Sequence, residues 1–239
     1  MRKFEYLHEV VDSHPISSIA AYTVIIEPSK FSDRVENIAR LNSAFNDFNI
    51  LVIKGVSGVG KTEFIRKFTS SLNWEYKIWI NCNYDINIEQ FLIKIRDVLV
   101  MDYGLTHFSK SLVKKKKLSK IDIVNFLIEL NEANICLILD DFHESNEEFE
   151  KIIVDISEYW RNSKVIISSQ RLTKSLRNIY SHIMIEELEG IPLDYIKAYL
   201  KDYHLMITDK ILINVYNQTQ GNPIALNLFA SLCINVPGC

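Results

Sequence analysis

Short apolar runs and helical stripes take turns along most of the chain. Residues 50–53 form a four-residue apolar run suited to a strand buried on both faces. Just beyond it, apolar residues fall at Phe64, Ile65 and Phe68, the spacing of a helix with one buried stripe. Upstream, Val35, Ile38, Leu41 and Phe45 mark one face of a helix starting at Asp33, with Ser32 or Asp33 as N-cap. The same reading predicts strands at 76–80, 135–139, 165–168 and 183–185, and helices at 88–101, 120–132 and 147–160. In 120–132 the apolar side is Ile121, Val124, Leu127 and Ile128, and 102–118 reads as a polar, lysine-rich connection. Residues 1–30 carry weaker signals, a short helix at 4–11 and an extended piece at 22–26.

Five strands separated by helices predict an α/β fold, a five-stranded parallel sheet with helices on both faces. From Pro192 the strand signal stops. Helices are expected from Pro192 to Leu200, from Thr208 or Asp209 to Tyr216, and from Pro223 onward. The expected division is therefore an N-terminal segment at 1–30, a sheet domain at 31–190 and a small helical domain at 191–239.

Composition adds limits. With 48% hydrophobic and 24% charged residues, the chain has globular proportions. A net charge of −3 gives no global pull towards nucleic acid or anionic membrane. The basic run Lys114 to Lys117 reads as a solvated loop, since no aromatic or arginine interleaves with it. No apolar stretch is long enough to span a bilayer, and the N-terminus carries charges where a signal peptide needs apolar residues. Four cysteines lack C-x-x-C spacing, six histidines lack metal-ligand spacing, and Cys136 reads as a small buried thiol. Together these point to a reducing compartment, the cytoplasm.

Only 7 glycines occur in 239 residues, yet Gly55, Gly58 and Gly60 fall together, directly before Lys61 and Thr62. They stand between the predicted strand and the predicted helix. Without Cβ atoms they let the backbone turn its N–H groups inward as a nest for an anion, and the helix N-terminus adds further donors. Lys61 can reach the terminal phosphates of a nucleotide, and the Thr62 hydroxyl is placed to ligate Mg²⁺. The expected phosphate-binding set is Gly55, Val56, Ser57, Gly58, Val59, Gly60, Lys61, Thr62 and the following Glu63.

In an open parallel sheet, ligands bind outside the carboxyl ends of the strands. The run at 135–139 ends in Asp140-Asp141. A carboxylate at the tip of a buried strand needs compensation, and Mg²⁺ shared with Thr62 supplies it; Asp141 can then act on a water attacking the γ-phosphate. Alone, the pair also fits a helix N-cap or two surface acids. Arg171, after the strand at 165–168, either faces the γ-phosphate or simply opens the next helix. Pro223 either meets the nucleotide or is the first-turn proline after a glycine stop. Arg34 either lines the base pocket or belongs to a capping segment.

Taken together, GVSGVGKT, ICLILDD, KVIISSQR and GNPIAL resemble, in that order, the motifs of a STAND-class P-loop ATPase of the NB-ARC type, a signalling NTPase related to AAA+ proteins. The resemblance covers roughly residues 28–235. It implies ATP or ADP with Mg²⁺, metal contacts from Thr62 and Asp140, water activation by Asp141, γ-phosphate sensing by Arg171 and base contact by Pro223. It also implies that the strand before Arg171 lies between those before Gly55 and Asp140. The family often has glycine where Asp33 stands, which weakens Arg34, and it places a winged-helix domain after its helical domain. Since the chain stops at Cys239 with an apolar end from Leu226 to Val236, truncation or a covering partner is expected.

The function these features imply is a switch: ADP holds it closed, ATP opens it for homo-oligomerisation, and hydrolysis is slow. The alternative is a DNA-dependent AAA+ ATPase, an initiator or transposition helper. Such proteins carry an arginine shortly after the helical-domain glycine, and none follows Gly221. A small-molecule kinase fits least, because 102–118 offers lysines but no arginine for a lid. No residue names the sensed ligand or the effector.

Overall fold

Apolar residues on both phases of each central strand fix the architecture, since such a strand must be covered on both sides. The computed structural model describes residues 21–22, 34–110, 112 and 118–235. The helix expected at 4–11, most of the extended piece at 22–26, the caps Ser32 and Asp33, the run Lys114 to Lys117 and the last four residues lie outside them.

In chain order the strands are β1 (Ala21–Tyr22), β2 (Ile50–Lys54), β3 (Tyr76–Asn81), β4 (Ile135–Asp140), β5 (Lys164–Ser169) and β6 (Ile183–Glu187). The sheet order is β1-β3-β4-β5-β2-β6. The five strands predicted from sequence are parallel to their neighbours. β1 adds a two-residue antiparallel edge, Ala21 opposite Ile80 and Tyr22 opposite Trp79, too short to leave a period in the sequence. β5 sits between β4 and β2, the order the resemblance implied.

The helices around the sheet are α1 (Val35–Ala44), α2 (Lys61–Ser70), α3 (Ile88–Met101), α4 (Lys120–Glu132), α5 (Glu147–Tyr159) and the short α6 (Lys174–Asn178). Ile50, Val52, Leu137, Leu139, Val165 and Ile167 share one core with Phe91, Phe126 and Phe149 of α3, α4 and α5. The intervening Leu51, Ile53, Cys136, Ile138 and Ile166 pack with Leu41, Phe64, Ile65 and Phe68 of α1 and α2. Period-two alternation thus sorts each strand between two apolar layers.

Caps set the helix starts: the Asn87, Ser119 and Asn146 side chains accept from the backbone N–H of Gln90, Asp122 and Phe149. Two sequence expectations need correction. On α4 the buried residues are Phe126, Leu127 and Leu130, whereas Ile121 and Ile128 are exposed. The larger Phe126 turns into the core, and Trp160 Nε1–H donates to the carbonyl of the adjacent Leu127 at 2.9 Å. The connection at 102–118 also holds a 3₁₀ turn, Thr106–Lys110, that buries Phe108 edge-on to Phe126, a single aromatic anchor without a period.

Two lysines at strand starts hold carbonyls at or after helix ends. Lys77 Nζ donates to the carbonyls of Thr69 and Leu72 at the end of α2. Lys164 Nζ does the same for Asn46 and Phe48 after α1. Lys77 thus meets the negative end of α2, while Lys164 gathers the loop carbonyls that follow α1.

After β6 come α7 (Leu193–Lys201), α8 (Asp209–Thr219) and α9 (Pro223–Asn235), packed around Ile191, Ile196, Leu200, Leu212, Val215, Leu226 and Ala230. Two glycines let the chain leaving β6 cross closely over the turn between α8 and α9. A Cβ on Gly190 would lie 1.9 Å from the Gln220 carbonyl oxygen, and one on Gly221 would lie 2.1 Å from that of Ile191. Between them Ile191 N–H donates to the Gly221 carbonyl at 2.7 Å.

Candidate functional site

The loop leaving β2 keeps to the ladder for one more residue, Gly55 N–H donating to the Ser169 carbonyl at 3.2 Å. Gly58 and Gly60 then take positive φ, 76° and 93°. For Gly60, the cap of α2, dihedral freedom is the whole reason for glycine, since no atom lies within 4 Å of where its Cβ would stand. Among the described residues, the backbone N–H groups of Gly58, Gly60, Lys61, Thr62 and Glu63 meet no protein acceptor. They are the open donors of a nest and of a first helical turn.

Lys61 is buried at the loop mouth, its Nζ donating to the carbonyls of Gly55 and Val56 at 3.1 and 3.2 Å. Burial lowers its pKa, opposed by the negative charges of Asp141 and Asp140. Thr62 Oγ1 donates to Asp140 Oδ2 at 3.0 Å, so the first turn of α2 and the tip of β4 face one another. Asp140 is 5% exposed and also accepts from the Ser168 hydroxyl of β5. Ser168 Oγ in turn accepts from the Asp141 backbone N–H at 2.7 Å. Asp141 itself is exposed and adopts a left-handed φ of 53°, turning the chain sharply out of β4.

This donor set suits a magnesium-bound phosphate. Mg²⁺ takes oxygen ligands, keeps several waters and typically uses one or two protein oxygens besides substrate phosphates. Thr62 and Asp140 offer that much, and no group of three or more His, Cys, Asp or Glu able to hold a metal occurs among the described residues. The free N–H groups include that of Thr62 itself.

The remaining predicted residues divide. Arg171 is exposed just past β5, its carbonyl accepting from Ser169 Oγ at 2.5 Å. Glu63 turns along the helix to pair with Arg66 at 2.5 Å, so only its backbone faces the nest. Arg34 is buried, and its guanidinium reaches the carbonyls of Val59 at 3.2 Å and Glu189 at 2.7 Å. It therefore ties the segment before α1 both to the glycine loop and to the strand exit after β6. Pro223 opens α9, but the contact with the loop comes from its neighbours. Asn222 Nδ2 donates to the Ser57 carbonyl at 2.9 Å, and a Cβ on Gly58 would meet Ile224 Cδ1 at 2.9 Å. Ser168 and Asn222 were not singled out from sequence. Ser168 lay inside a strand run and Asn222 inside a turn motif, where local pattern accounts for each without a distant partner.

The NB-ARC domain family matches residues 31–189. TMV resistance protein N of Nicotiana glutinosa is 22% identical over 213 residues, covering 85% of this chain and 18% of that protein. The chain thus spans less than a fifth of the length of this curated relative. Among solved structures, a signal transduction ATPase with numerous domains (STAND) carrying a tetratricopeptide repeat sensor, from Pyrococcus horikoshii, superposes with a TM-score of 0.66 at 17% identity. It is matched over 91% of this chain and 32% of that one. A Walker-type ATPase of Pyrococcus abyssi gives 0.59 at 14% identity, over 85% and 68%. At such identities these likenesses concern the fold.

Proposed function

The chain belongs to the NB-ARC family of nucleotide-binding signalling NTPases, and from that premise we propose that it is a switch set by ATP and ADP, with slow hydrolysis and self-association in the ATP state. In this reading residues 31–190 are the nucleotide-binding unit and 191–239 the helical unit. The N–H groups of Gly58, Gly60, Lys61, Thr62 and Glu63 and the Lys61 ammonium hold the phosphates, and Thr62 and Asp140 would hold Mg²⁺. The ion, when bound, neutralises phosphate charge. Asp141 takes the proton of a water whose oxygen bonds to the terminal phosphorus as the bond to ADP breaks. Arg171 pairs with the terminal phosphate, while Arg34 and Pro223 stand on the base side. No described helix is long and apolar enough to cross a membrane.

The Thr62–Asp140 pair beside unpaired N–H groups is the observation that carries this reading. In this reading the Asn222–Ser57 bond is the link by which the phosphate loop acts on the start of α9. The test begins with equilibrium binding of ATP and ADP, with and without a chelator, and with analysis of nucleotide released on denaturation. We expect retained ADP and Mg²⁺-dependent ATP binding. For Asp141→Asn, single-turnover hydrolysis is expected to fall about 100- to 10,000-fold with ATP binding kept, the usual contribution of a general base. Protein that bound no adenine nucleotide would sink the reading, and unchanged hydrolysis in Asp141→Asn would remove that residue's role.

A further inference from the structure

Two side chains from outside the phosphate loop reach its carbonyls: Asn222 Nδ2 donates to that of Ser57 at 2.9 Å, and Arg34 Nη2 to that of Val59 at 3.2 Å. Each carbonyl belongs to a peptide unit that ends in a positive-φ glycine, Gly58 or Gly60. No peptide bond among the described residues is cis, and in a trans unit the C=O and N–H bonds point in opposite directions. Holding the Ser57 carbonyl against the start of α9 therefore turns the Gly58 N–H away from α9. Holding the Val59 carbonyl against Arg34 turns the Gly60 N–H away from that guanidinium. Both N–H groups are among those that meet no protein acceptor.

A glycine loop needs such a hold. Glycine passes readily between positive and negative φ, so a peptide unit beside it can turn over and exchange its N–H for its carbonyl oxygen. At Ser57–Gly58 or Val59–Gly60 that exchange would present an acceptor where an anion requires a donor. Both outer residues are themselves fixed. Asn222 Oδ1 accepts from the N–H groups of Ile224 at 3.0 Å and Ala225 at 3.3 Å in the first turn of α9, which settles that the amide nitrogen faces Ser57. Asn222 Oδ1 and Ile224 Cδ1 lie 3.0 and 2.9 Å from where a Gly58 Cβ would stand, so α9 closes that side of the loop. Arg34 is buried, and its Nη2 is also tied to the Glu189 carbonyl at 2.7 Å.

We propose that Asn222 and Arg34 are positioning residues of the nucleotide site. Each fixes one carbonyl of the glycine loop from behind and so aims the N–H of the same peptide unit, Gly58 or Gly60, at the phosphates. Donors set in direction before the ligand arrives save the cost of ordering them on binding. This rests on the nucleotide binding proposed above and adds to it a division of labour: one peptide unit is held by the helical unit, the other by the segment before α1.

The 7 glycines each follow a different residue type, so ¹⁵N at glycine combined with ¹³C at the serine or valine carbonyl singles out the amide signal of Gly58 or of Gly60. Spectra with and without saturating ADP are compared for wild type, Asn222→Ser and Arg34→Gln, alongside ADP dissociation constants and thermal melts. Asn222→Ser keeps a hydroxyl that can cap α9 but is one bond too short to reach Ser57. ADP should move both signals in wild type. In Asn222→Ser most of the Gly58 movement should be lost and that of Gly60 kept, with ADP bound about 2- to 10-fold more weakly, the worth of one hydrogen bond. Arg34→Gln should show the reverse pattern. If Asn222→Ser left both movements intact, or lost both equally, the proposal would be overturned while nucleotide binding stood; wild-type protein that bound no ADP would end both. Should Arg34→Gln not fold, Asn222→Ser decides the matter.

Discussion

Lys61→Ala is expected to weaken ATP binding by about 10- to 150-fold, the range spanned by one hydrogen bond to a charged group worth about 1.5–3 kcal/mol. Lys61 is poised for this role. Its Nζ rests on two loop carbonyls at 3.1 and 3.2 Å, contacts that are easily exchanged for phosphate oxygens. Asp140 and Asp141 oppose the effect of burial and favour its charge. Without the ammonium, those two carboxylates face an incoming anion uncompensated, so the loss should grow as salt is lowered. Lys61→Arg should not restore binding, because a planar guanidinium cannot occupy the same compact position between the Gly55 and Val56 carbonyls. The check is a titration with ATP at two ionic strengths, alongside a melt showing that the variant is folded. Binding indistinguishable from wild type would remove the lysine from the site.

The second large effect is on the junction. Gly221→Ala should destabilise the protein by about 2–5 kcal/mol, combining about 1–2 for a left-handed non-glycine residue with about 1–3 for overpacking. In a chain of this size that lowers the melting midpoint by roughly 4–20 °C. The reason is geometric: φ is +70°, and the new methyl would stand 2.1 Å from the Ile191 carbonyl oxygen and 2.7 Å from its nitrogen, both backbone atoms with nowhere to go. Gly104 provides the control, sharing a φ of +70° but having no atom within 4 Å of its Cβ position. Gly104→Ala should therefore show the conformational strain alone. If differential scanning calorimetry found the two variants equally destabilised, the close crossing of Gly190–Ile191 and Gln220–Gly221 would not be the source of the loss.

What could be read in the sequence follows from how local each signal is. The strand runs and the helices at 88–101 and 147–160 were legible because burial on both faces, or on one stripe, leaves a pattern within the element. The glycine loop was legible because its strand and helix flank it directly. Helix α4 was misjudged in rotation because its apolar residues surround it, with Ile121 and Phe126 both available, and only the shape of the neighbouring core selects Phe126. Phe108 left no period because it is a single anchor, and of the extended piece expected at 22–26 the described part is Tyr22, in the two-residue β1. Around the site, Asp140 could be anticipated from its place at a strand tip. The bonds of Ser168 to Asp140 and of Asn222 to Ser57 depend on residues 28 and 165 positions apart, which no local pattern encodes.

The strand that launches the phosphate loop has partners synthesised long after it. Ile50 pairs with Val165 on one side and with Ile183 on the other. During translation, β2 must wait as an unpaired apolar segment until both later strands have left the ribosome, and such segments are open to misassociation. The rim around the phosphate loop is thus among the last features to form on a growing chain, and until β6 emerges one edge of β2 stays uncovered.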